Sequence, residues 1–311
     1  MNLLVTGATG LVGSAVVRAA VLRGDRVLAA VRDVVRGRAA FAGLPGVEVV
    51  EWDVLRPAEI GSAIDGIVHA AAVTTSQKMI DCPVETMDVT VEGTRNVLSL
   101  ARTRQVKGVV YLSSMEAYGL PQEDRIVTET DVGPLDHLAP RSSYPLAKRM
   151  AEGMCAAYAR EYGVPVRIAR LAQVIGETLS PSDNRVIAQF ARAVREGRDI
   201  VLHTEGASAR AYCAISDAVS AILTLLEKGV PGEAYNVANP ATYCSIREMA
   251  EMLCAAHPPC RVVVDLVGAE GKGYAPAFKM RLSTDKLEAL GWKPRVGLAE
   301  AYERMLAAWR T

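Results

Sequence analysis

The sequence predicts an α/β protein: a doubly wound parallel sheet with a smaller lobe built from the C-terminal part of the chain. Short apolar strands alternate with amphipathic helical segments from Asn2 to Arg170, a glycine-rich turn joins the first strand to the first helix, and the rhythm loosens beyond Gly176. The strands are read at Asn2 to Thr6, Arg26 to Val31, Val47 to Glu51, Gly66 to His69, Gly108 to Leu112 and Val164 to Arg170. Between them lie helical patterns such as Leu11 to Arg23, Val84 to Gln105 and Ser143 to Tyr162, the succession of right-handed βαβ units. Past Gly176 come Pro-, Gly- and Ser-bearing stretches, "GETLSPSD" and "GVPGEAYNVANPATYCS", and shorter helices such as Ser245 to Ala256. The expected division is therefore 1–175 and 176–311, with some segments of the second part returning to the sheet.

Composition narrows the function classes. A chain of 311 residues, 50% of them hydrophobic, can bury a large core. Lys plus Arg and Asp plus Glu are 35 each, so no basic field exists to gather nucleic acid and there is no acidic tail. Apolar stretches such as Gly66 to Val73 are far shorter than the roughly 20 residues of a membrane span. The start runs directly into a strand with no basic leader, so a cytoplasmic protein is expected. The six cysteines form no C-x-x-C pair and are expected to be reduced and structural; the four histidines show no ligand spacing, and no metal is expected.

"LLVTGATGLVG" places Gly7, Gly10 and Gly13 after a strand and at the opening of a helix. Without side chains there, the backbone turns tightly and approaches a pyrophosphate, whose charge meets the free N–H groups of the helix. This spacing, G-x-x-G-x-x-G, resembles the extended short-chain dehydrogenase/reductase superfamily, whose domain is of the Rossmann type. The resemblance implies a dinucleotide-binding first half and adds Leu11 and Val12 to the phosphate turn. It also implies that Asp53 in "EWDV" meets the adenine amino group with Val54 beside it, and that Ala70 and Ala71 in "HAAA" admit the cofactor closely. Members that bind NAD carry an acidic residue at the end of the second strand, where this chain has Val31 followed by Arg32. A guanidinium there suits a 2′-phosphate, so NADP is favoured over NAD, with Arg36 or Arg38 as further contacts. Asp33 as a displaced ribose acceptor, or Arg32 as a solvated side chain, is the alternative.

Tyr144 and Lys148 in "YPLAK" stand four apart, on one helix face, with Pro145 admissible in the first turn. A free phenol has a pKa of about 10 and is a poor base at neutral pH. The Lys148 ammonium and an oxidised nicotinamide ring would both favour the phenolate, and Lys148 can also hold the nicotinamide ribose. In "KGVVYLSSMEAYG" the strand delivers Ser114 to its carboxyl edge. In the sugar-nucleotide epimerase/dehydratase family that this region resembles, a hydroxyl at that offset from the Tyr-Gly orients the sugar oxygen to be oxidised. Ser113 is read as a turn or backbone partner, and Tyr118 as either a second acid or base or a packing residue. Glu116 is open among a base, a residue that positions a substrate carboxylate through water, and a turn cap. Met115 stands where dehydratases keep an acid, which disfavours dehydration. A Glu at position 116 and the stretch "KRMAEGMCAAYAREYGVPVRIARL" resemble UDP-glucuronate decarboxylases.

The resemblance extends nearly to the end of the chain. It implies that Arg210 in "RAYCAISDAVSAI" binds the substrate diphosphate and that Asn236 and Arg281 are further contacts. Two departures stand out: Thr90 replaces an Asn in "TVEGT", and Gln173 in "RLAQ" replaces an amide thought to reach the diphosphate. The expected activity is a nucleotide-sugar epimerase acting by transient oxidation at a bound nicotinamide. The rivals are an NADPH-dependent reductase of a keto sugar or related carbonyl, a decarboxylase of a nucleotide-linked uronic acid, and a non-catalytic dinucleotide sensor. The resemblance also implies a homodimer through a four-helix interface of Val84 to Gln105 and Ser143 to Tyr162.

Overall fold

The computed structural model describes residues 1–121, 124–267 and 277–310. Seven strands form a wholly parallel central sheet: β1 (Asn2–Thr6), β2 (Arg26–Val31), β3 (Val47–Glu51), β4 (Gly66–His69), β5 (Gly108–Ser114), β7 (Val166–Leu171) and β11 (Ala234–Val237). Their order is β11-β7-β5-β4-β1-β2-β3. Helices α1 (Leu11–Leu22), α2 (Val34–Ala40), α3 (Ser76–Asp81), α4 (Pro83–Arg104), α5 (Ser143–Tyr162) and α7 (Ile215–Lys228) connect and cover them. Alternate residues of a strand point to opposite faces. Leu3 and Val5 accordingly join the core that contains Val16, Val17 and Ala218, whereas Leu4 joins the one with Val97, Leu98 and Ala151. The strand order reverses between β1 and β4, so a crevice opens at the carboxyl ends of these two strands, the position where such sheets take ligands.

The second sheet runs β12 (Asn239–Ser245), β10 (Ala209–Ala214), β14 (Lys279–Leu282) and β6 (Ile126–Val127), with β8 (Gln173–Ile175) paired to β10. A parallel pair, β9 (Ile200–Leu202) and β13 (Val262–Val264), and helices α6 (Val186–Arg195), α8 (Ile246–Ala256), α9 (Asp285–Glu288) and α10 (Leu298–Ala308) complete the lobe. Its own core includes Ile187, Phe190, Tyr212, Met249 and Tyr302. Exchange of segments runs both ways. Ala234–Val237 returns to the central sheet beside β7, and Ile126–Val127, from the first half, pairs with β14. A two-residue strand has no periodicity to read, so the sequence gives no sign of β6.

The cysteine expectation needs one correction. Past the end of α8 the chain turns back, and Cys254 and Cys260, with Cα atoms 4.8 Å apart, are joined as a disulfide. Cys155 and Cys213 are free and buried, as structural thiols. Among the described residues no helix is long and apolar enough to cross a membrane.

Two glycines of the first turn are sterically required. Gly7 has φ +62°, and a β-carbon on Gly13 would lie 2.2 Å from the Gly7 carbonyl oxygen. Gly13→Ala is expected to force the turn open and to cost about 1–3 kcal/mol of unfolding free energy, read by urea denaturation.

Candidate active site

The phosphate end of the crevice is built from backbone. A β-carbon on Gly7 would stand 2.8 Å from the Ala70 carbonyl and from the Ala71 nitrogen, so the first turn lies directly against the chain leaving β4. Gly10, whose N–H bonds the Gly7 carbonyl at 2.9 Å, is the N-cap of α1 and brings no side chain to its first turn. Leu11 and Val12 open that helix and are partly buried. Open N–H groups beside a turn that excludes side chains fit a pyrophosphate.

At the end of β2, Arg32 is exposed and has no protein partner among the described residues, whereas Asp33 caps α2 by accepting from the Arg36 N–H at 2.9 Å. The carboxylate is thus engaged locally and the guanidinium is free. Asp53 accepts from the Leu55 N–H at 3.1 Å. Val54 packs its side chain on Gly93 and its carbonyl accepts from Asn96 at 2.7 Å.

At the chemical end, β5 carries Ser114 to its edge in an extended conformation (φ −142°, ψ 152°), where the hydroxyl accepts from the Glu116 N–H at 3.2 Å. Tyr144 lies in the first turn of α5 and is only 7% exposed. One helical turn on, Lys148 is 2% exposed; its ammonium donates to the Leu112 carbonyl at 2.7 Å and lies 4.7 Å from the ring centroid of Tyr111 and 5.6 Å from that of Tyr144. Ser114, Tyr144 and Lys148 are thereby brought together as the spacing implied.

Burial, and then the nearby Glu116 carboxylate, push the Tyr144 phenol above its ordinary range, against the opposing effects of Ser114, Arg141 and Arg185. Burial also lowers Lys148 to about 8, opposed by Glu152. The protein by itself therefore keeps the phenol protonated.

Two arginines near Tyr144 were not read from the sequence. Arg141, three residues before Tyr144, holds both carboxylate oxygens of Glu116, at 3.0 and 2.8 Å. Arg185, at the start of α6, is held by Asp183 through bonds of 2.9 and 2.8 Å. For Arg141 the signal was its place just before the helix that carries Tyr144 and Lys148; for Arg185 no local signal existed.

Behind the site runs a buried polar network. Ser113 donates to Glu152, which corrects the expectation of a turn or backbone partner. Glu152 pairs with Arg170, whose Nη1 donates to the Glu129 carbonyl at 2.8 Å and whose guanidinium lies 4.7 Å from the centre of the Tyr118 ring. Tyr118, pushed up to about 12 chiefly by burial, donates to Asn236 Oδ1 at 2.8 Å. The Asn236 Nδ2 donates in turn to the carbonyls of Val127 and Ser283. The expectation that Asn236 meets substrate is thus corrected: the residue is fully buried and its amide is satisfied at both ends by protein.

On the lobe side, β8 and β10 pair Gln173 with Tyr212, next to Arg210. Among the described residues, Gln173 Oε1 and Arg210 Nε are buried without a hydrogen-bond partner, as groups awaiting an external ligand would be, while the Arg210 guanidinium rests 4.6 Å from the Phe278 ring centroid. Arg281 instead engages Asp124 at 3.1 Å, stacks 4.1 Å from the Tyr243 centroid, and lines a cavity of about 390 Å³ with Pro240 and Ser283.

A doubly wound parallel sheet with a glycine turn at its switch point, and a serine, tyrosine and lysine gathered at the carboxyl edge of β5, define an extended short-chain dehydrogenase/reductase. Within that class, the chain belongs to the NAD dependent epimerase/dehydratase family, whose model matches residues 3–238. Its relatives include UDP-glucuronic acid decarboxylase 1 of Xenopus tropicalis, 29% identical over 99% of this chain and 72% of that protein. Among solved structures, dTDP-glucose 4,6-dehydratase from Streptomyces venezuelae with NAD bound is 27% identical, with TM-score 0.82 over 100% of this chain and 97% of that one. The RMD protein from Pseudomonas aeruginosa complexed with NADPH is 26% identical, with TM-score 0.79 over 99% and 98%.

Below about pH 8 Lys148 is charged in folded and unfolded chains alike, and its burial is a standing cost; between about 8 and its ordinary 10.5 only the unfolded chain keeps the proton, so stability rises with pH through that window. Against a Lys148→Met variant, which lacks the group, the wild-type protein is expected to gain about 3 kcal/mol across the window, measured by urea unfolding at its two ends.

Proposed function

We propose that the protein is a nucleotide-sugar epimerase that oxidises a sugar hydroxyl transiently at a bound nicotinamide dinucleotide, with NADP preferred. The observation that carries this reading is the grouping of Ser114, Tyr144 and Lys148 beside the crevice. The Ser114 oxygen already accepts from the Glu116 N–H, so its own hydrogen remains available to hold the sugar oxygen. Tyr144 takes the proton of that hydroxyl and later returns it. Lys148 supplies a fixed positive charge one helical turn away and a donor for the nicotinamide ribose. The dinucleotide, when bound, supplies the hydride acceptor and donor and, in its oxidised form, a second positive charge that brings the phenol into the working range.

Gly7, Gly10, Leu11, Val12 and Gly13 take the pyrophosphate, Asp53 and Val54 the adenine side, and Ala70 and Ala71 the adjoining ribose. Arg32 takes the 2′-phosphate. Residues 176–311 supply most of the sugar-nucleotide side, with Arg210 at the diphosphate and Arg281 farther out, and Gln173 of the first part joins Arg210. We assign the protein to the cytoplasm and to a homodimer joined through α4 and α5.

Dehydration is disfavoured because Met115, 5% exposed, offers no acid. Decarboxylation of a nucleotide-linked uronic acid is the second reading. Glu116, Arg141 and Arg185 around Tyr144 favour it, because each arginine can exchange its carboxylate partner for that of the substrate. The relationship to UDP-glucuronic acid decarboxylases supports it also.

A panel of nucleotide-linked hexoses and hexuronates, with NAD or NADP and product NMR, tests the proposal. Inversion at a single carbon without net cofactor consumption is expected; stoichiometric NADPH oxidation or release of carbon dioxide overturns it. Tyr144→Phe is expected to lower turnover by about 10²–10⁴-fold while the dinucleotide dissociation constant holds. Arg32→Asp is expected to weaken NADP on the order of 10–100-fold and leave NAD nearly unchanged, by fluorescence titration.

A further inference from the structure

Thr86, Thr90 and Thr94 recur every four residues on the buried face of α4, and each spends its hydroxyl hydrogen on the carbonyl one turn back: Cys82 at 3.0 Å, Thr86 at 2.9 Å and Thr90 at 2.6 Å. A hydroxyl has one hydrogen, so Thr94 meets the sheet only as an acceptor. Facing it, 3.3 Å away, is Nε2 of His69, the last residue of β4 and 1% exposed. Nε2 must therefore carry the proton. Nδ1 of a neutral ring is then bare and accepts from the Thr6 hydroxyl at 2.7 Å. With its hydrogen so directed, Thr6 Oγ1 accepts from the Ala71 N–H at 3.3 Å, and the Thr6 carbonyl accepts from the Ala70 N–H at 3.3 Å. One helix carbonyl thus sets the direction of every hydrogen bond from α4 to the backbone that packs on Gly7.

We propose that His69 is a positioning residue for the dinucleotide: as the Nε2–H tautomer it braces the ends of β1 and β4 against α4 and fixes the Ala70–Ala71 backbone beside the glycine turn. The proposal rests on the dinucleotide reading given above. The groups around the ring fit a neutral imidazole. Thr6 comes from β1 and Thr94 from α4; the Tyr111 ring from β5 lies 5.6 Å away, and beyond it the Lys148 ammonium of α5 is 4.7 Å from the Tyr111 centroid. Burial, and then the Lys148 ammonium, lower His69 to about 3. A second positive charge in this layer would oppose Lys148.

Long-range proton–nitrogen NMR of the full-length protein labelled with ¹⁵N-histidine reads the tautomer directly. A bare Nδ1 and a protonated Nε2, unchanged between about pH 5 and 8, are expected; a protonated Nδ1, or titration in that range, overturns the proposal. His69→Asn keeps an acceptor for Thr6 in the place of Nδ1, and His69→Phe keeps the volume without it. Dissociation constants for NAD and NADP within about threefold of wild type are expected for the Asn variant, and at least about tenfold weaker for the Phe variant. Wild-type affinity in a folded His69→Phe protein overturns the proposal. If that variant does not fold, the tautomer spectrum decides; if the wild-type protein binds neither dinucleotide, the functional reading fails separately and the spectrum still decides whether the brace exists.

Discussion

A cation kept out of water organises the chemical end of this molecule. Lys148 is held by the Leu112 carbonyl and by the faces of two tyrosine rings, with Glu152 near enough to favour its charge. Nothing in folding alone rewards that placement, since desolvation of an ammonium opposes burial. It persists because the surrounding packing leaves the side chain no other course: Ala147 and Ala151 on α5 are as buried as Lys148 itself, and the strand carbonyl is aimed at its Nζ. A structure that retains such a cost beside a tyrosine and a crevice has the local inconsistency expected of a functional site.

The surrounding polar groups form two systems with different duties. On the open side, Glu116 with Arg141 and Asp183 with Arg185 are partly exposed pairs, exchangeable with an incoming anion. On the closed side, Ser113, Glu152, Arg170, Glu129, Tyr118 and Asn236 are joined without a gap, and their value lies in fixing how β5, β7 and β11 meet. Removing either member of a buried pair such as Glu152–Arg170 leaves an uncompensated charge, which costs far more than an exposed pair contributes.

What could be read from the sequence was what is encoded locally. Six of the seven strands of the central sheet, the glycine turn and the Tyr144–Lys148 spacing depend on neighbours within a turn or two, and they are in place; the seventh strand, Ala234–Val237, was not expected. Asn236 was expected to meet substrate because the resemblance placed its segment beside the nucleotide pocket, whereas β11 enters the central sheet beside β7 and carries the amide into the interior. Arg185 comes near Tyr144 only through the folding of the lobe, and β6 acquires its partner 155 positions away, Ile126 with Arg281. The contacts of His69 with Thr6 and Thr94 depend on which face α4 turns toward β4, which the sequence does not show. The disulfide depended on a reversal after α8 that the spacing of two cysteines does not announce.

The strand at Ile126–Val127 bears on how a bulky ligand can enter. It belongs by sequence to the first half yet is stitched into the lobe's sheet, while Glu129, two residues on, is tied to Arg170 and to the Asn236 backbone. A swing of the lobe as one rigid piece would tear these seams and expose their partners to one another unpaired. These bonds oppose relative movement of the two halves of the molecule.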